Sequence, residues 1–339
     1  MIENNPLEQL FELANHYPSP HNGQPIELKQ QDEQHFTLHF QRERGLQAVD
    51  ISYLFSYVTM GVFIQHLAFC AEALGHDFTY SLALPPLETI KGTGSVQFAS
   101  CEIRLSQKPT NQTLVDILAN RQTSRKKYTQ GIDDELTQQL LAIATDNHSE
   151  LHKMKQEGTR QAIWLNQRAV FDDMFDNAVR KELNHWLRYS KQEKEASRDG
   201  LAYDCMELNG AVMKFIIKHY KILRTPGISW LIEKYYLRTM TDNSDVFYLL
   251  APFSNEYESF TVGMSIMKMW HAIAAKGYYL HPFGTIMSNQ AAHADFLKLI
   301  NSDHEDMSQN FLVFIFRGGM SEKPHASLRI PVKDHLFRR

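Results

Sequence analysis

Cysteine is scarce in this sequence. There are three in 339 residues, Cys70, Cys101 and Cys205, far apart and odd in number. Such a set builds no disulfide framework and reads as buried or free thiols in a reducing compartment. An excess of charge is missing as well. The 35 Lys+Arg against 39 Asp+Glu leave a formal net charge of -4, which argues against a nucleic-acid surface or a polybasic membrane anchor. Met1 to Leu10 carries two Glu and two Asn and lacks the basic-then-apolar pattern of a signal peptide. No apolar run approaches the roughly 20 residues that cross a bilayer. These absences predict a soluble, cytoplasmic protein with no membrane or nucleic-acid partner.

Familiar catalytic signatures are missing too. The sequence has no Cys-x-x-Cys, His-Glu-x-x-His, phosphate-loop or Gly-x-Ser-x-Gly pattern. It also lacks the Gly-x-Gly-x-x-Gly dinucleotide fingerprint. The 16 histidines show no ligand spacing, so no metal site is expected.

What is present is an ordinary globular balance, 43% hydrophobic and 22% charged, at a length of about two domains. Periodicity predicts helices over Leu7–Asn15, Leu54–Leu74, Thr113–Ala119, Asp133–Ala144, Thr159–Asp176, Leu208–His219 and Glu258–Lys276. Alternating or solid apolar runs predict strands over His35–Phe40, Asp77–Leu84, Ser95–Leu105, Val246–Pro252 and Phe311–Phe316. Leu54–Leu74 and Glu258–Lys276 carry too few charges for surface helices and are expected to be central and buried. Each holds a glycine, Gly61 or Gly263, and each ends at another, Gly75 or Gly277, with the same spacing. This repeat divides the chain near residue 110 into two related halves, 1–110 and 111–339. The polar stretch 182–207 reads either as a solvated helix with a loop or as a lid over a pocket.

Four constellations carry chemical content. Tyr17-Pro18-Ser19-Pro20-His21-Asn22-Gly23-Gln24-Pro25 stiffens a loop with prolines and offers Ser19, Asn22 and Gln24 as hydrogen-bonding groups. It is either a connecting turn or a seat for a planar polar ligand. Arg121-Gln122-Thr123-Ser124-Arg125 flanks two hydroxyls with guanidiniums, the donor set a phosphomonoester needs. Taken alone it also reads as a solvated basic run. Arg329 stands in Ser327-Leu328-Arg329-Ile330-Pro331, and its interest depends on the first two. His281-Pro282-Phe283-Gly284 is a tight turn or a place where backbone amides approach a ligand.

Together these residues resemble the nitroreductase family of FMN enzymes. Typical members carry an Arg-x-Ser-x-Arg/Lys element and an Ala-Pro-Ser-x-x-Asn-x-Gln-Pro element. Arg121 to Arg125 is similar to the first, with Thr123 at the hydroxyl position. Pro18 to Pro25 is similar to the second. Their order is inverted here, and each occurs once, with only Ala144-Thr145-Asp146-Asn147-His148 where a second Asn element would lie. Ile26 stands where many members have Trp. The pattern resembles the Acg-like branch, as a single-chain pseudodimer with one flavin site.

The resemblance implies an α+β nitroreductase-like fold, with two halves that each hold a small sheet flanked by helices around long central buried helices. It implies that Arg121, Thr123, Arg125 and Arg329 hold the phosphate and ribityl chain of FMN. Ser19, Asn22 and Gln24 would contact the isoalloxazine edge or ribityl chain, and Phe283 and Gly284 would place a backbone amide near the flavin's reactive N5. His21 would cap the turn or contact the flavin. The chemistry would then belong to the flavin, with no catalytic side chain. The implied activity transfers electrons from NAD(P)H to a nitro, quinone or similar small acceptor. The alternatives are an FMN-sequestering protein with little turnover and a flavoenzyme for a non-nitro substrate. The chain would act as a monomer, itself a pseudodimer, or as a homodimer.

Overall fold

A computed structural model of the chain describes residues 6–50, 52–106, 108–240, 242–300 and 311–335. Residues 1–5 of the N-terminal stretch read above lie outside the described residues. The fold mixes helices and sheets, as expected.

The first part runs α1 (Pro6–Ala14), β1 (Ile26–Gln30), β2 (His35–Gln41), α2 (Leu54–Ala73), β3 (Asp77–Leu82), β4 (Ser95–Arg104) and α3 (Gln112–Asn120). Its strands form an antiparallel sheet in the order β1-β2-β4-β3. Period-2 alternation sends Phe36, Leu38 and Phe40 into a core with Leu10 and Phe11 of α1 and Phe63 and Leu67 of α2.

The chain continues through β5 (Tyr128–Gln130), α4 (Asp134–Thr145), β6 (Glu150–Lys153), α5 (Gln156–Asp173), α6 (Asn177–Trp186), β7 (Leu187–Arg188), α7 (Lys191–Ser197) and β8 (Leu201–Ala202). Then follow α8 (Gly210–Lys218), α9 (Ile228–Met240), β9 (Asp245–Ala251), α10 (Glu256–Ala275), β10 (Tyr279–Pro282), α11 (Gly284–Ser288), α12 (Gln290–Ile300), β11 (Phe311–Ser321) and α13 (Val332–His335). The second sheet has the order β10-β11-β9-β6, with β5 added on β11. Both its faces are covered. Phe247, Leu249 and Phe316 point into one core with α4 and α10, while Val246, Tyr248 and Ile315 point into another with α5 and α12. That is why β11 reads as a solid apolar run.

The two long helices form the spine. Leu54 and Glu256 open them, and Ala73 and Ala275 close them, a constant offset of 202 residues. Both end in the same way. Gly75 and Gly277 each take φ +76, and the next amides, of His76 and Tyr278, reach back to Ala71 O at 2.8 Å and Ile273 O at 3.1 Å. Where the helices cross, a Cβ on Gly61 would stand 2.0 Å from Phe260 O, and one on Gly263 would stand 2.1 Å from Val58 O. The close approach is reciprocal, because each glycine touches the carbonyl three residues before the other. The sequence expectation about membranes needs one correction. α2 is long and apolar enough by composition to cross a bilayer, but 78% of that stretch is buried inside the fold.

Several elements escaped the sequence reading. β1, β6 and β10 are short and mix polar with apolar residues, and α9 and α12 carry no clear stop signals. His281-Pro282 belongs to β10, so Pro282-Phe283-Gly284 is not an isolated turn but the passage from β10 into α11.

Candidate functional site

The proline-rich loop and the arginine segment do come together. Arg121 Nη2 donates to His16 O at 3.0 Å. Arg329 donates through Nε to Asn15 O at 2.9 Å, through Nη2 to Tyr17 O at 3.3 Å, and through Nη1 to Asn22 Oδ1. Arg125 lies close enough to His21 to depress its basicity. Three guanidiniums thus converge under one loop. Among the described residues none of the three forms an ion pair with a carboxylate.

This convergence is electrostatically costly. Burial first, and Arg329 second, lower the Arg121 pKa to about 9. Burial lowers Arg329 to about 10. Burial also lowers Arg125, against the opposing influence of Cys205 and Tyr236. Two nitrogens of Arg121, Nε and Nη1, are buried without a hydrogen-bond partner. So are Nδ1 of His66, Nε2 of His271 and Nε1 of Trp270. Arg121 lies 4.6 Å over the Trp270 ring, and its charge lowers His66, so the orphaned groups of Trp270 and His66 are its neighbours. Buried polar atoms without a partner are rare in folded proteins, and each calls for a hydrogen-bonding group, water or ligand, beside it.

The arginine segment is positioned from below by Arg317, a fully buried residue of β11 that sequence reasoning missed. Its guanidinium pairs with Asp242 Oδ2 at 3.2 Å and donates to Arg125 O at 3.2 Å and Lys126 O at 2.9 Å. It also donates to His281 Nδ1 at 3.3 Å and lies over the Tyr128 ring at 4.6 Å. Thr123 bridges to Leu280 in parallel, and Ser124 N reaches Leu280 O at 3.2 Å. The segment therefore rides on the edge of the second sheet. The signal for Arg317 in the sequence is only its place directly after the apolar run Phe311–Phe316.

The loop is strained. His21, Asn22 and Gln24 all have positive φ, at 50°, 53° and 51°. Left-handed backbone in such residues costs of order 1 kcal/mol each. Internal bonds hold it. Ser19 Oγ accepts from Gln24 N at 3.0 Å, Asn22 Nδ2 donates to Leu328 O at 3.1 Å, and Gln24 Oε1 accepts from Ile330 N at 3.0 Å. These three side chains spend their polar atoms on the loop and on the C-terminal strap, which differs from the edge contacts expected of them.

Phe283 is not part of the cluster. Its amide donates to Ile315 O at 2.8 Å, and its ring packs in the core with Tyr248 and Phe296. Gly284 follows at the start of α11 with open space at its Cα.

Segment 182–207 lies across the arginines. Gly200 N donates to Asn22 O at 3.3 Å, Gln24 Nε2 to Arg198 O at 3.1 Å, Arg198 Nε to Arg329 O at 2.8 Å, and Arg125 Nη1 to Cys205 O at 3.2 Å. Asp199 clamps it between Arg44 at 2.8 Å and Arg188 at 2.5 Å, and burial does not outweigh those cations, so its carboxyl stays below the usual range. The arginines therefore meet chain carbonyls and not an open cleft. Two shallow surface dimples, lined by Phe40, Tyr53 and Ile90 and by Leu165, Asp172 and Asp295, lie away from this cluster and have no room for a ligand.

The histidines of the site give a pH prediction. Burial, then Arg329 and Arg121, lower His16 to about 4, and burial, then Arg125, lowers His21 to about 4. The unfolded chain protonates these rings near 6.5, and the fold does not until near 4. Their contribution is thus complete above about pH 6.5 and is lost as the pH falls through that window. Buried Asp50, raised to about 6, acts in the opposite sense. The test is therefore differential. His21→Asn, which tolerates the left-handed backbone, is expected to lose less urea midpoint than the parent between pH 7 and 4.5. Parallel pH curves for the two proteins would refute the assignment.

No family model and no curated protein matches the chain. Among solved structures, it is similar to the FMN-dependent nitroreductase NfnB from Mycobacterium smegmatis in complex with NADPH, at 12% identity and a TM-score of 0.39. That similarity covers 67% of this chain and 99% of the other.

Proposed function

We propose that this chain is a flavoprotein that holds one FMN at the arginine cluster and carries electrons from NAD(P)H to a small acceptor. The observation that carries the reading is Arg121, buried with two unpartnered guanidinium nitrogens beside two further arginines that lack carboxylates. A dianionic phosphate supplies what those groups lack. Arg121, Arg125 and Arg329 would bind it, with the Thr123 hydroxyl. Ser19, Asn22 and Gln24 would act through the loop shape they enforce, and Gly284 would leave room for a close approach. FMN, when bound, supplies hydride and electron transfer. The segment around Arg198–Cys205 would then be the lid, lifted to admit the cofactor and closed to exclude water.

In the same reading the chain is an internal duplication divided near residue 110. The strand orders β1-β2-β4-β3 and β6-β9-β11-β10 correspond one to one, and β3 and β10 begin at Asp77 and Tyr279, again 202 residues apart. The reciprocal glycine crossing is what a two-fold relation between the halves requires. The loop of the first half and the arginine segment of the second then complete one site within a single chain, and a homodimer is not needed to build it. A second reading, FMN sequestration with little turnover, is favoured by the Asp199 clamp that holds the segment shut.

Purified protein is expected to be yellow and to release about one FMN per chain on denaturation. Colourless protein that also fails to take up added FMN would overturn the proposal. Mixing the flavin-loaded protein with NADPH or NADH in a stopped-flow cell separates the two readings. Bleaching of the flavin supports turnover, and flavin that stays oxidised with both supports sequestration.

A further inference from the structure

A second feature lies outside this site. α8, the 3-10 helix Tyr220–Arg224, the Thr225-Pro226-Gly227 stretch and α9 follow one another in the chain, with large apolar side chains in the open. Val212 and Phe215 on α8 are 51% and 54% exposed, and Trp230, Leu231 and Tyr235 on α9 are 57%, 59% and 63% exposed. Spacings of three and four residues put Val212 with Phe215, and Leu231 with Tyr235, on common helix faces. Solvent-facing apolar groups in this number mark an interaction surface.

The charge around them selects the partner. Residues 210–240 hold six Lys/Arg against one Glu, a local net charge of +5 in a chain whose formal net charge is -4. The whole-chain balance conceals this segment. All six cations are exposed, and among the described residues none forms an ion pair. The one acid, Glu233, is spent on Trp164 Nε1 at 2.7 Å.

We propose that the α8–α9 segment docks on an anionic lipid bilayer, with its apolar residues among the headgroups and its lysines and arginines over the phosphates. Basic helices bearing Trp, Phe and Leu bind in this way. A second copy is disfavoured, because a two-fold contact would set one +5 segment against another. Nucleic acid uses stacking and phosphate contacts, and it leaves no role for exposed Val212 and Leu231.

The test is co-sedimentation of the full-length protein with vesicles. Binding to phosphatidylcholine vesicles containing 30% phosphatidylglycerol is expected to exceed binding to pure phosphatidylcholine by about tenfold or more and to weaken in 0.5 M salt. Trp230→Ser with Leu231→Ser, and separately Lys218→Glu with Lys221→Glu, are each expected to cut binding about tenfold without lowering the melting temperature. Equal binding to both vesicle types overturns the proposal. So does parental binding by both double variants. Light scattering that shows a dimer abolished by the Trp230/Leu231 change assigns the face to a second copy and also overturns it. Tight binding to single-stranded DNA with none to vesicles does the same in favour of nucleic acid.

Discussion

Replacing Gly61 with alanine is expected to cost about 3–5 kcal/mol of folding stability, at the severe end for a single substitution. The added methyl would stand 2.0 Å from Phe260 O and 2.9 Å from Phe260 C. Both are backbone atoms inside α10, so no side chain can rotate away. The helices must part by about 1 Å, and the cores on both sides are close-packed enough to feel it. Gly263→Ala meets Val58 O at 2.1 Å and Val58 C at 2.9 Å, and the same loss is expected. The pair should be strongly non-additive, because helices already parted by one methyl have room for the other. Urea melts of both single variants and the double variant check this. Gly284→Ala, with nothing within 4 Å of the new methyl, serves as the control and is expected to change stability by less than about 0.5 kcal/mol. A Gly61→Ala protein that melts like the parent would mean the helices do not cross there.

That crossing was legible in the sequence as spacing. Two apolar stretches with glycines at the same interval point to like helices, and burial follows from their lack of charge. What spacing could not show is that each glycine serves the opposite helix. The start of α10 was read two residues late, because its signal is side-chain capping. Asn255 Oδ1 accepts from Glu258 N at 3.0 Å, and Glu258 Oε2 accepts from Ser254 N at 2.7 Å. A hydrophobic period does not register such a cap. The site was legible in its cations and less so in its neutral groups. Arg121, Arg125 and Arg329 converge as the motifs implied. Ser19, Asn22 and Gln24 bond within the chain instead, since a loop with three left-handed residues needs its own side chains to hold it. Sheet register claims the Phe283 amide for Ile315 O, which leaves the amide of Gly284 as the one that the turn can present. His66 and Trp270 were hidden because they sit in helices whose apolar composition reads as core.

Arg121→Met separates a binding role from a structural one, and the two make opposite predictions. Arg121 is 6% exposed, and its guanidinium carries no carboxylate partner among the described residues and leaves two nitrogens unbonded. A buried, under-satisfied charge destabilises the fold that contains it. Methionine fills similar volume without that penalty, at the loss of the 3.0 Å bond to His16 O and the contact with Trp270. The ligand-free variant is therefore expected to melt at or above the parent's temperature. A phosphate ligand reverses the balance. It pairs with the orphaned donors, and each charge-assisted hydrogen bond to it contributes about 1.5–3 kcal/mol. Loss of Arg121 should thus weaken FMN binding by about tenfold to a hundredfold or more and remove most of the stabilisation that FMN gives the parent. Flavin titration and melting with and without FMN measure both quantities on the same samples. If Arg121 were only a strut between the loop at His16 and α10, the ligand-free variant would melt several degrees lower and its FMN affinity would not change, and that result would remove the phosphate from the site.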